Sequence, residues 1–309
     1  MFVIKHRKIF YLLSALLIAS AVAVTAIWGI KFGIDFTGGS ILEVNFSDSV
    51  VEKDLVLENI KSLNIEVGDL SVRSTNETGH IVRTKNINDA EKNQILESLS
   101  ILGQVEEIRF NNVGPTLGSE LKSKAVVSVL VVILSIVIFV AFAFRHVSKP
   151  VSSWKYGLVA IVTFVHDVMI PVGVFAILGQ FLGVEVDTLF IISILVVLGY
   201  SINDTIIVFD RIRENLKAVP EEQREQRFEQ VVGKSLRQTF ARSLNTSITT
   251  LITLTALFFL GGEATKWFTL ALIAGILAGT YSSIFFAAPM LVTISKFKKK
   301  QKVEIVREI

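Results

Sequence analysis

The sequence predicts an α-helical polytopic membrane protein with six transmembrane helices and one α+β extracytoplasmic domain between helices one and two. Of its 309 residues, 51% are hydrophobic and only 19% are charged. A soluble chain of this length has too small an interior to hide so much apolar surface. Six apolar stretches reach the roughly 20 residues that a helix needs to cross a bilayer. A long polar connection separates the first two stretches and carries strand-like and helix-like patterns.

The first apolar stretch is predicted to be a membrane helix and not a cleaved signal peptide. It follows three basic residues and contains the triplet Ala21-Val22-Ala23, which resembles a cleavage site. The apolar run continues to Ile30, however, which is too long for a typical signal peptide. The six predicted spans are residues 9–30, 125–144, 156–178, 189–209, 243–262 and 267–295.

Basic residues indicate how the spans are oriented. They are frequent at the N-terminus, after the second and fourth spans and in the C-terminal tail, whereas residues 180–187 contain none. Because short cytoplasmic loops are enriched in Lys and Arg, both termini are predicted to lie in the cytoplasm. The net charge of +3 therefore reflects bases beside helices and not a nucleic-acid footprint.

The sequence predicts four regions. Residues 1–30 form a cytoplasmic N-terminus and the first helix, and residues 31–124 a periplasmic or other extracytoplasmic domain. Residues 125–295 contain helices two to six. Residues 296–309 are a cytoplasmic basic tail, which is expected to anchor on anionic membrane lipid.

The long connection is predicted to be a ferredoxin-like domain. Its elements follow the order β-α-β-β-α-β, which is the split βαβ arrangement. A hairpin is expected around residues 76–79, and the second helix is expected to end before Gly103. Such a fold hosts many functions and assigns none by itself. The predicted strands are residues 41–46, 70–74, 80–85 and 105–110, and the predicted helices are residues 51–63 and 88–102.

An acidic side chain inside the fourth span is the main candidate for function. Asp204, preceded by Asn203, lies in the stretch GYSINDTIIVFDRIREN at residues 199–215. Carboxylates at membrane depth are costly and usually face other helices or a water path. One face of the fifth span carries Arg242, Thr246, Thr249 and Thr253 at comparable depth. The pattern fits a proton relay through Asp204, Asn203, Arg242 and Thr246, and it fits equally well a structural ion pair that never titrates.

Two further patterns concern the membrane helices. The charged residues 210–237 alternate with helical spacing and are interpreted as an amphipathic segment on the membrane surface. In the last span, Gly275 and Gly279 have the small-xxx-small spacing that is typical of close helix packing.

The third span contains the adjacent pair His166 and Asp167, just before Pro171. A proline inside a helix frees a backbone carbonyl and can admit water. The pair is therefore either part of a relay or a hydrogen-bonded structural pair. A zinc site is a weak alternative, because no other histidine or cysteine has ligand spacing. An aspartyl protease that uses Asp167 and Asp204 is also weak, because their His-Asp and Asn-Asp contexts do not fit that chemistry.

A glycine pair follows the first span. Gly38 and Gly39 end the stretch GIDFTGGS at residues 33–40, which also contains Asp35. Glycines permit positive φ, so a tight turn from the membrane helix into a strand is predicted. A phosphate loop is disfavoured, because the stretch lacks a Lys-Ser/Thr ending and precedes a strand. The sequence predicts no metal and no cofactor, and the chain is not expected to be an enzyme.

These motifs together resemble the SecD/SecF family within the resistance-nodulation-division superfamily. The resemblance covers nearly the whole chain and includes GIDFTGGS, VHDVMIPVG, VLGYSINDTIIVFDRIREN and RSLNTSITTL. It implies a SecF-type subunit of the cytoplasmic (inner) membrane that is a separate polypeptide and acts with a SecD-like subunit. Such a complex uses the proton motive force to promote protein export through the SecYEG channel. The resemblance also implies contact between the extracytoplasmic domain and the emerging preprotein, with YajC or YidC as further partners.

The resemblance also assigns roles to particular residues. The family's fourth-helix aspartate corresponds to Asp204 and its fifth-helix arginine to Arg242, with Thr246 on the same route. The exit signature corresponds to Asp35, Gly38 and Gly39, and the third-helix motif to His166 and Asp167.

Two other functions remain open at this point. The chain could be a half-size proton-driven exporter of small molecules or lipids, although such pumps generally need larger external domains. It could also be a non-transporting membrane scaffold, in which case the charge of Asp204 would be dispensable.

Overall fold

The computed structural model describes residues 2–63, 65–68, 70–75, 77–145 and 150–296. The chain forms two compact units: a helical unit of Met1–Lys31 and Val127–Ile309, and an α+β unit of Phe32–Val126. Residues 297–309 of the predicted tail and Asn76 of the predicted hairpin turn lie outside the described residues.

The α+β unit is inserted between the first long helix and the remaining helices of the helical unit. The strands are β1 (Gly39–Phe46), β2 (Ser71–Ser74), β3 (Gly79–Thr84) and β4 (Val105–Val113). The helices are α1 (Phe2–Lys5), α2 (Arg7–Trp28), α3 (Ile34–Thr37), α4 (Lys53–Lys61), α5 (Asp89–Leu99), α6 (Pro115–Ala143), α7 (Ser153–Leu182), α8 (Thr188–Lys217), α9 (Arg224–Leu260) and α10 (Glu263–Ser282). A π turn at Ser283–Ala287 follows α10, and the chain is α-helical again from residue 288 to Lys296.

The α+β unit has the predicted ferredoxin-like fold. Its four antiparallel strands lie in the order β2-β3-β1-β4. Because side chains alternate along a strand, β1 directs Leu42, Val44 and Phe46 to one face. Val56 of α4 and Ile95 of α5 join them in the core. Each such fully buried side chain stabilises the fold by about 1.5–3 kcal/mol.

β1 and β4 are longer than the strands predicted at residues 41–46 and 105–110. β1 and β4 pair along their full length, so Gly39 lies opposite Val113.

The start of α5 is closed by a capping box: Asn88 accepts a hydrogen bond from the Glu91 backbone N–H at 2.9 Å, and the Glu91 side chain accepts one from the Asn88 backbone at 2.8 Å. These bonds satisfy two N–H groups that a helix start otherwise leaves unpaired.

In the described part of the chain, six helices are long and apolar enough to cross a membrane, which agrees with the predicted number. They are α2, α6, α7, α8, the helix of residues 221–260 that contains α9, and the helix of residues 265–296 that begins within α10. In the helical unit, α10 packs against α7, α8 and α9, and α2 packs against α7.

Glycines permit the closest helix contacts. A Cβ at Gly173 of α7 would lie 2.7 Å from the Cβ of Ala21, and one at Gly275 of α10 would lie 2.3 Å from Val197. Both separations are below van der Waals contact, so the α2–α7 and α8–α10 contacts depend on the missing side chain.

The charged run at residues 210–237 does not form a separate surface segment, contrary to the prediction. α8 continues to Lys217 and α9 begins at Arg224, so only residues 218–223 connect the two helices. An apolar stripe within the charged run explains this difference, because it packs the two helix ends together. The stripe consists of the buried side chains Phe209, Ile212, Leu216, Phe228, Val232 and Leu236.

Because the two helix ends pack together, α8 and α9 both continue beyond the apolar segments that are long enough to cross the membrane. The 37 residues of α9 span about 55 Å at 1.5 Å per residue, whereas the hydrocarbon layer is about 30 Å thick. Asn215 also ties the helix ends together, because its side-chain amide donates to Ser235 at 2.9 Å and to Gln238 at 2.8 Å.

Candidate functional site

Asp204 lies on the buried face of α8, and only 1% of its surface is exposed. The carboxyl group faces the side chain of Ser243 and the charge of Arg242, both on α9. One carboxyl oxygen and the Ser243 hydroxyl nevertheless have no hydrogen-bond partner in the described part of the chain. A buried polar atom without a partner costs about 1–3 kcal/mol. This arrangement is typical of a group that changes its protonation state or its partner during function.

The predicted partners of Asp204 on α9 do not line the α8–α9 contact. Arg242 and Thr246 are exposed, as is Asn203 on α8. No salt bridge among the described residues joins Asp204 to Arg242. The expected direct pair is therefore absent from this conformation, and Arg242 acts on Asp204 only at longer range.

The predicted threonine stripe is bonded to its own helix. The hydroxyl of Thr246 donates to the carbonyl of Arg242, and that of Thr253 donates to the carbonyl of Thr249 at 3.1 Å. Thr249 likewise donates to the carbonyl of Asn245 at 3.0 Å. These hydroxyl groups therefore bond to carbonyl groups of α9 itself along an exposed face of the helix, and none of these hydrogen bonds goes to Asp204.

A second polar stripe on α9 packs inside the helical unit, and the sequence analysis missed it. It repeats every four residues and consists of the buried side chains Ser235, Thr239, Ser243 and Ser247. Ser247 accepts a hydrogen bond from Thr280 of α10 at 2.7 Å. The four-residue repeat could have revealed this stripe, because residues at i and i+4 share one face of a helix.

His166 and Asp167 form a fully buried hydrogen-bonded pair on α7. The imidazole Nδ1 donates to one Asp167 oxygen at 2.9 Å. The other oxygen accepts from Ser201 of α8 and from Ser282 of α10, the latter at 2.9 Å. Asp167 therefore connects three membrane helices, and neither serine was a predicted site residue.

The two buried aspartates have separate surroundings. Asp167 accepts hydrogen bonds from His166, Ser201 and Ser282, and no hydrogen bond joins it to Asp204. The shared proton of an aspartyl protease needs two carboxyl groups in contact, which this conformation does not provide. Among the described residues, no three His, Asp or Glu side chains are arranged to hold a metal ion.

The exit motif forms a tight turn in the α+β unit. Asp35 lies in the first turn of α3, and Gly38 and Gly39 follow with φ of 73° and 127°. A Cβ at Gly38 would lie 2.9 Å from the Cα of Pro115, and one at Gly39 would lie 2.7 Å from the carbonyl oxygen of Thr84. Both the positive φ and the close backbone contacts require glycine.

The fold and these buried groups define a class of protein. The described residues include six membrane-length helices, and two acidic side chains within these helices, Asp167 and Asp204, are almost completely buried. The chain is a multi-pass membrane protein with ionisable groups inside its helix bundle, and such groups generally serve the movement of ions or protons.

Comparison with known proteins identifies the family. Residues 93–297 match the family described as "Protein export membrane protein SecD/SecF, C-terminal", and residues 29–50 match the "SecD/SecF GG Motif". The chain belongs to the SecD/SecF family of protein-export membrane proteins, as the sequence motifs indicated.

Curated relatives and solved structures agree with this assignment. The chain is 40% identical to the protein translocase subunit SecF of Thermobaculum terrenum, over 94% of this chain and 93% of that protein. It is 37% identical to the same subunit of Haemophilus influenzae, over 92% and 82%. A crystal structure of SecDF from Thermus, described as a translocon-associated membrane protein, matches 95% of this chain with 30% identity and a TM-score of 0.80. This chain spans only 38% of that SecDF chain.

Proposed function

We propose that this chain promotes protein export across the cytoplasmic membrane as the SecF-type half of a SecD/SecF unit that uses the proton motive force. The observation that carries the proton coupling is Asp204, which is buried in a membrane helix with one carboxyl oxygen unpaired. The chain acts here as an accessory subunit of a translocase and not as an enzyme.

The exposed polar face of α9 supports a SecD-like partner. Arg242, Asn245, Thr246 and Thr249 are all exposed in the isolated chain. Arg242 lies just before the apolar span of residues 243–262, and the other three residues lie within the first two turns of that span. Polar and charged side chains are costly to place against lipid, so a second protein is expected to cover this face. This chain covers 38% of the Thermus SecDF chain, which leaves a remainder of that chain long enough to contain such a second half.

The proton coupling follows from the separation of Asp204 and Arg242. An ionised Asp204 attracts the guanidinium across the α8–α9 contact, and protonation removes that attraction. The membrane potential supplies about 2.3 kcal/mol per charge for each 100 mV. One proton can therefore shift the population of two conformations that differ by a few kcal/mol.

The remaining partners follow the family resemblance. Both termini lie in the cytoplasm, because basic residues flank the cytoplasmic helix ends. The α+β unit then lies outside, where it contacts the emerging preprotein, and SecYEG with YajC or YidC forms the surrounding channel assembly.

Charge removal at Asp204 tests this function. Asp204→Asn and Arg242→Met are expected to reduce export of a secretory protein severalfold in cells that depend on this chain. The matched control is Asp210→Asn, which makes the same change on α8 at an exposed residue paired with Arg213. Export is followed by pulse labelling, with equal membrane levels verified by immunoblot.

Normal export by the Asp204→Asn protein would overturn the proton coupling and favour the scaffold. Normal protein export together with a loss of drug or lipid efflux would favour the small-molecule exporter instead.

A further inference from the structure

Asp167 is arranged as an ionised carboxylate. It receives hydrogen bonds from a ring N–H and from two hydroxyl groups, those of Ser201 and Ser282. A carboxylate only accepts hydrogen bonds, whereas a carboxylic acid must also donate one. The negative charge is fully buried, and a buried charge needs a compensating partner.

Among the described residues, His166 is the one basic side chain that bonds Asp167. Tyr281 on α10 stacks with the imidazole, and the other titratable side chains along these helices include Tyr11 on α2 and Tyr200 and Asp204 on α8; none of them is a cation. The basic residues of α2, α7, α8, α10 and the helix after the π turn all lie within the first or last two turns of these helices: Arg7, Lys8, Lys155, Arg211, Arg213, Lys217, Lys266 and Lys296. The pair is therefore neutral when His166 holds two protons and carries one net negative charge when it holds one.

The surroundings of His166 favour a cation. Its ring stacks with Tyr281 and with Phe286, with ring centroids 5.9 Å and 5.8 Å away and interplanar angles of 25° and 20°. Aromatic faces carry negative charge density and attract a cation placed over them. Tyr281 is held in place from α2, because its hydroxyl donates to the carbonyl of Phe10 at 2.9 Å.

A π turn lies between these two aromatic residues. Tyr281 and Phe286 are five residues apart, and residues with that spacing diverge by about 140° on an α-helix, which has 3.6 residues per turn. The π turn at Ser283–Ala287 changes that angular spacing, and both rings contact the imidazole. Such local π turns occur frequently at functional sites.

The second ring nitrogen of His166 is the remaining proton-binding position of the pair. Nε2 is buried and has no hydrogen-bond partner in the part of the chain that the structure describes. It is thus the one position of the pair at which a proton can be gained or lost without breaking a bond to Asp167.

We infer that His166 is a second proton-binding site of the helical unit, with Asp167 as its fixed counter-charge and Ser201 as its connection to the Asp204 segment of α8. A proton on Nε2 makes the pair neutral. Its loss leaves an uncompensated carboxylate that holds the Ser201 and Ser282 hydroxyl groups more strongly. Ser201 lies one turn before Asp204, and its Cβ is 3.0 Å from the Cβ position at Gly279, so a shift of α8 changes both contacts.

The inference deepens the proposed proton coupling but can be tested apart from it. The chain has four histidines, so the full-length protein labelled with ¹⁵N-histidine in lipid nanodiscs gives few imidazole signals. His166→Asn assigns the signal of interest. A doubly protonated ring has two N–H groups, whereas a neutral ring has one. Solid-state NMR spectra between pH 5 and 9 distinguish these forms directly.

The doubly protonated form of His166 is expected at the acid end of this range, with conversion to the neutral form as the pH rises. Asp167→Asn is expected to abolish the doubly protonated form, whereas Asp204→Asn retains it. Tyr281→Leu should weaken proton binding about five- to thirtyfold through loss of one aromatic face, and Tyr281→Phe, which keeps the ring, should not.

A neutral His166 ring at every pH in the parent protein would overturn the inference and leave a purely structural pair. A doubly protonated ring that persists in Asp167→Asn would also overturn it. Because these spectra do not measure export, they are independent of the export assay on Asp204 and Arg242, and either idea can fail alone.

Discussion

The two acidic side chains inside the helical unit are held in different ways. Asp167 has three hydrogen-bond donors around it, whereas Asp204 leaves one oxygen unpaired. Burial without a partner raises the free energy of Asp204 by about 1–3 kcal/mol relative to a satisfied group. Asp204 is therefore the less completely hydrogen-bonded of the two acids, and Asp167 is held by side chains of three helices.

A buried histidine makes the α+β unit sensitive to acid. His80 on β3 has Nε2 2.8 Å from the Val51 carbonyl oxygen and Nδ1 3.3 Å from the Ser74 hydroxyl. Burial lowers the pKa of His80 below its ordinary value of 6.5, and the Val51 hydrogen bond only partly offsets this. The unfolded chain therefore binds this proton more readily, and stability falls as the pH drops below about 6.5.

Hydrogen–deuterium exchange of the full chain in detergent should show this loss. Peptides from β1 and β3 should lose protection between pH 7.5 and pH 5, after correction for the intrinsic exchange rate. His80→Gln should make that protection nearly independent of pH. His6→Gln is the matched control, because His6 lies in the helical unit. Equal pH dependence in the parent protein and in His80→Gln would contradict the prediction.

At the scale of elements, the contact between α8 and α10 organises the helical unit. Gly275 lies against Val197 and Gly279 against Ser201. Since each glycine lacks a side chain, the two helices approach closely enough for Ser201 and Ser282 to reach the same carboxylate on α7. Larger residues here would separate the helices and break the Asp167 hydrogen bonds.

Gly275→Ala should therefore destabilise the protein despite the better helix propensity of alanine. The new methyl group would lie 2.3 Å from Val197, and such overpacking costs about 1–3 kcal/mol. Gly199→Ala on α8 is the matched control, because no heavy atom lies within 4 Å of its added Cβ.

Thermal unfolding in detergent measures the difference between these two variants. Gly275→Ala should lower Tm by roughly 2–4 °C for each kcal/mol lost, and Gly199→Ala should leave it unchanged or higher. The same Tm for both variants would mean that the close α8–α10 contact is not required.

At the scale of the whole molecule, two helices show different outer faces. α6 exposes large apolar side chains such as Leu130, Leu134 and Ile138, which suit contact with lipid. α9 exposes Arg242 and three threonines at steps of four, three and four, which suit contact with protein. This difference supports the proposal that a second subunit covers the polar face of α9.

Spin labels can identify the covered face, and the absence of cysteine simplifies their placement. A label at Thr249→Cys should lose collisions with lipid-dissolved oxygen when a SecD-like subunit is co-reconstituted, because a partner helix excludes lipid. A label at Leu134→Cys, whose parent side chain is 60% exposed, should remain accessible. Unchanged accessibility at Thr249→Cys would exclude α9 as the partner face.

The sequence by itself determined the membrane class, the number of spans and the ferredoxin-like fold. These features depend on local patterns: apolar runs of membrane length, the two-residue alternation of β1 and the capping box at Asn88. Local patterns also located Asp204, the His166–Asp167 pair and the Gly38–Gly39 turn, because rare residue types in apolar surroundings are visible without a structure.

Only the tertiary structure decided which polar groups meet. The sequence offered two polar stripes on α9, and helix rotation turned the serine stripe inward and the arginine–threonine stripe outward. Rotation is set by packing against α8 and α10, which no local pattern encodes. The same is true of Ser201 and Ser282, which both reach Asp167 because glycines on α10 allow this helix to approach α8 closely.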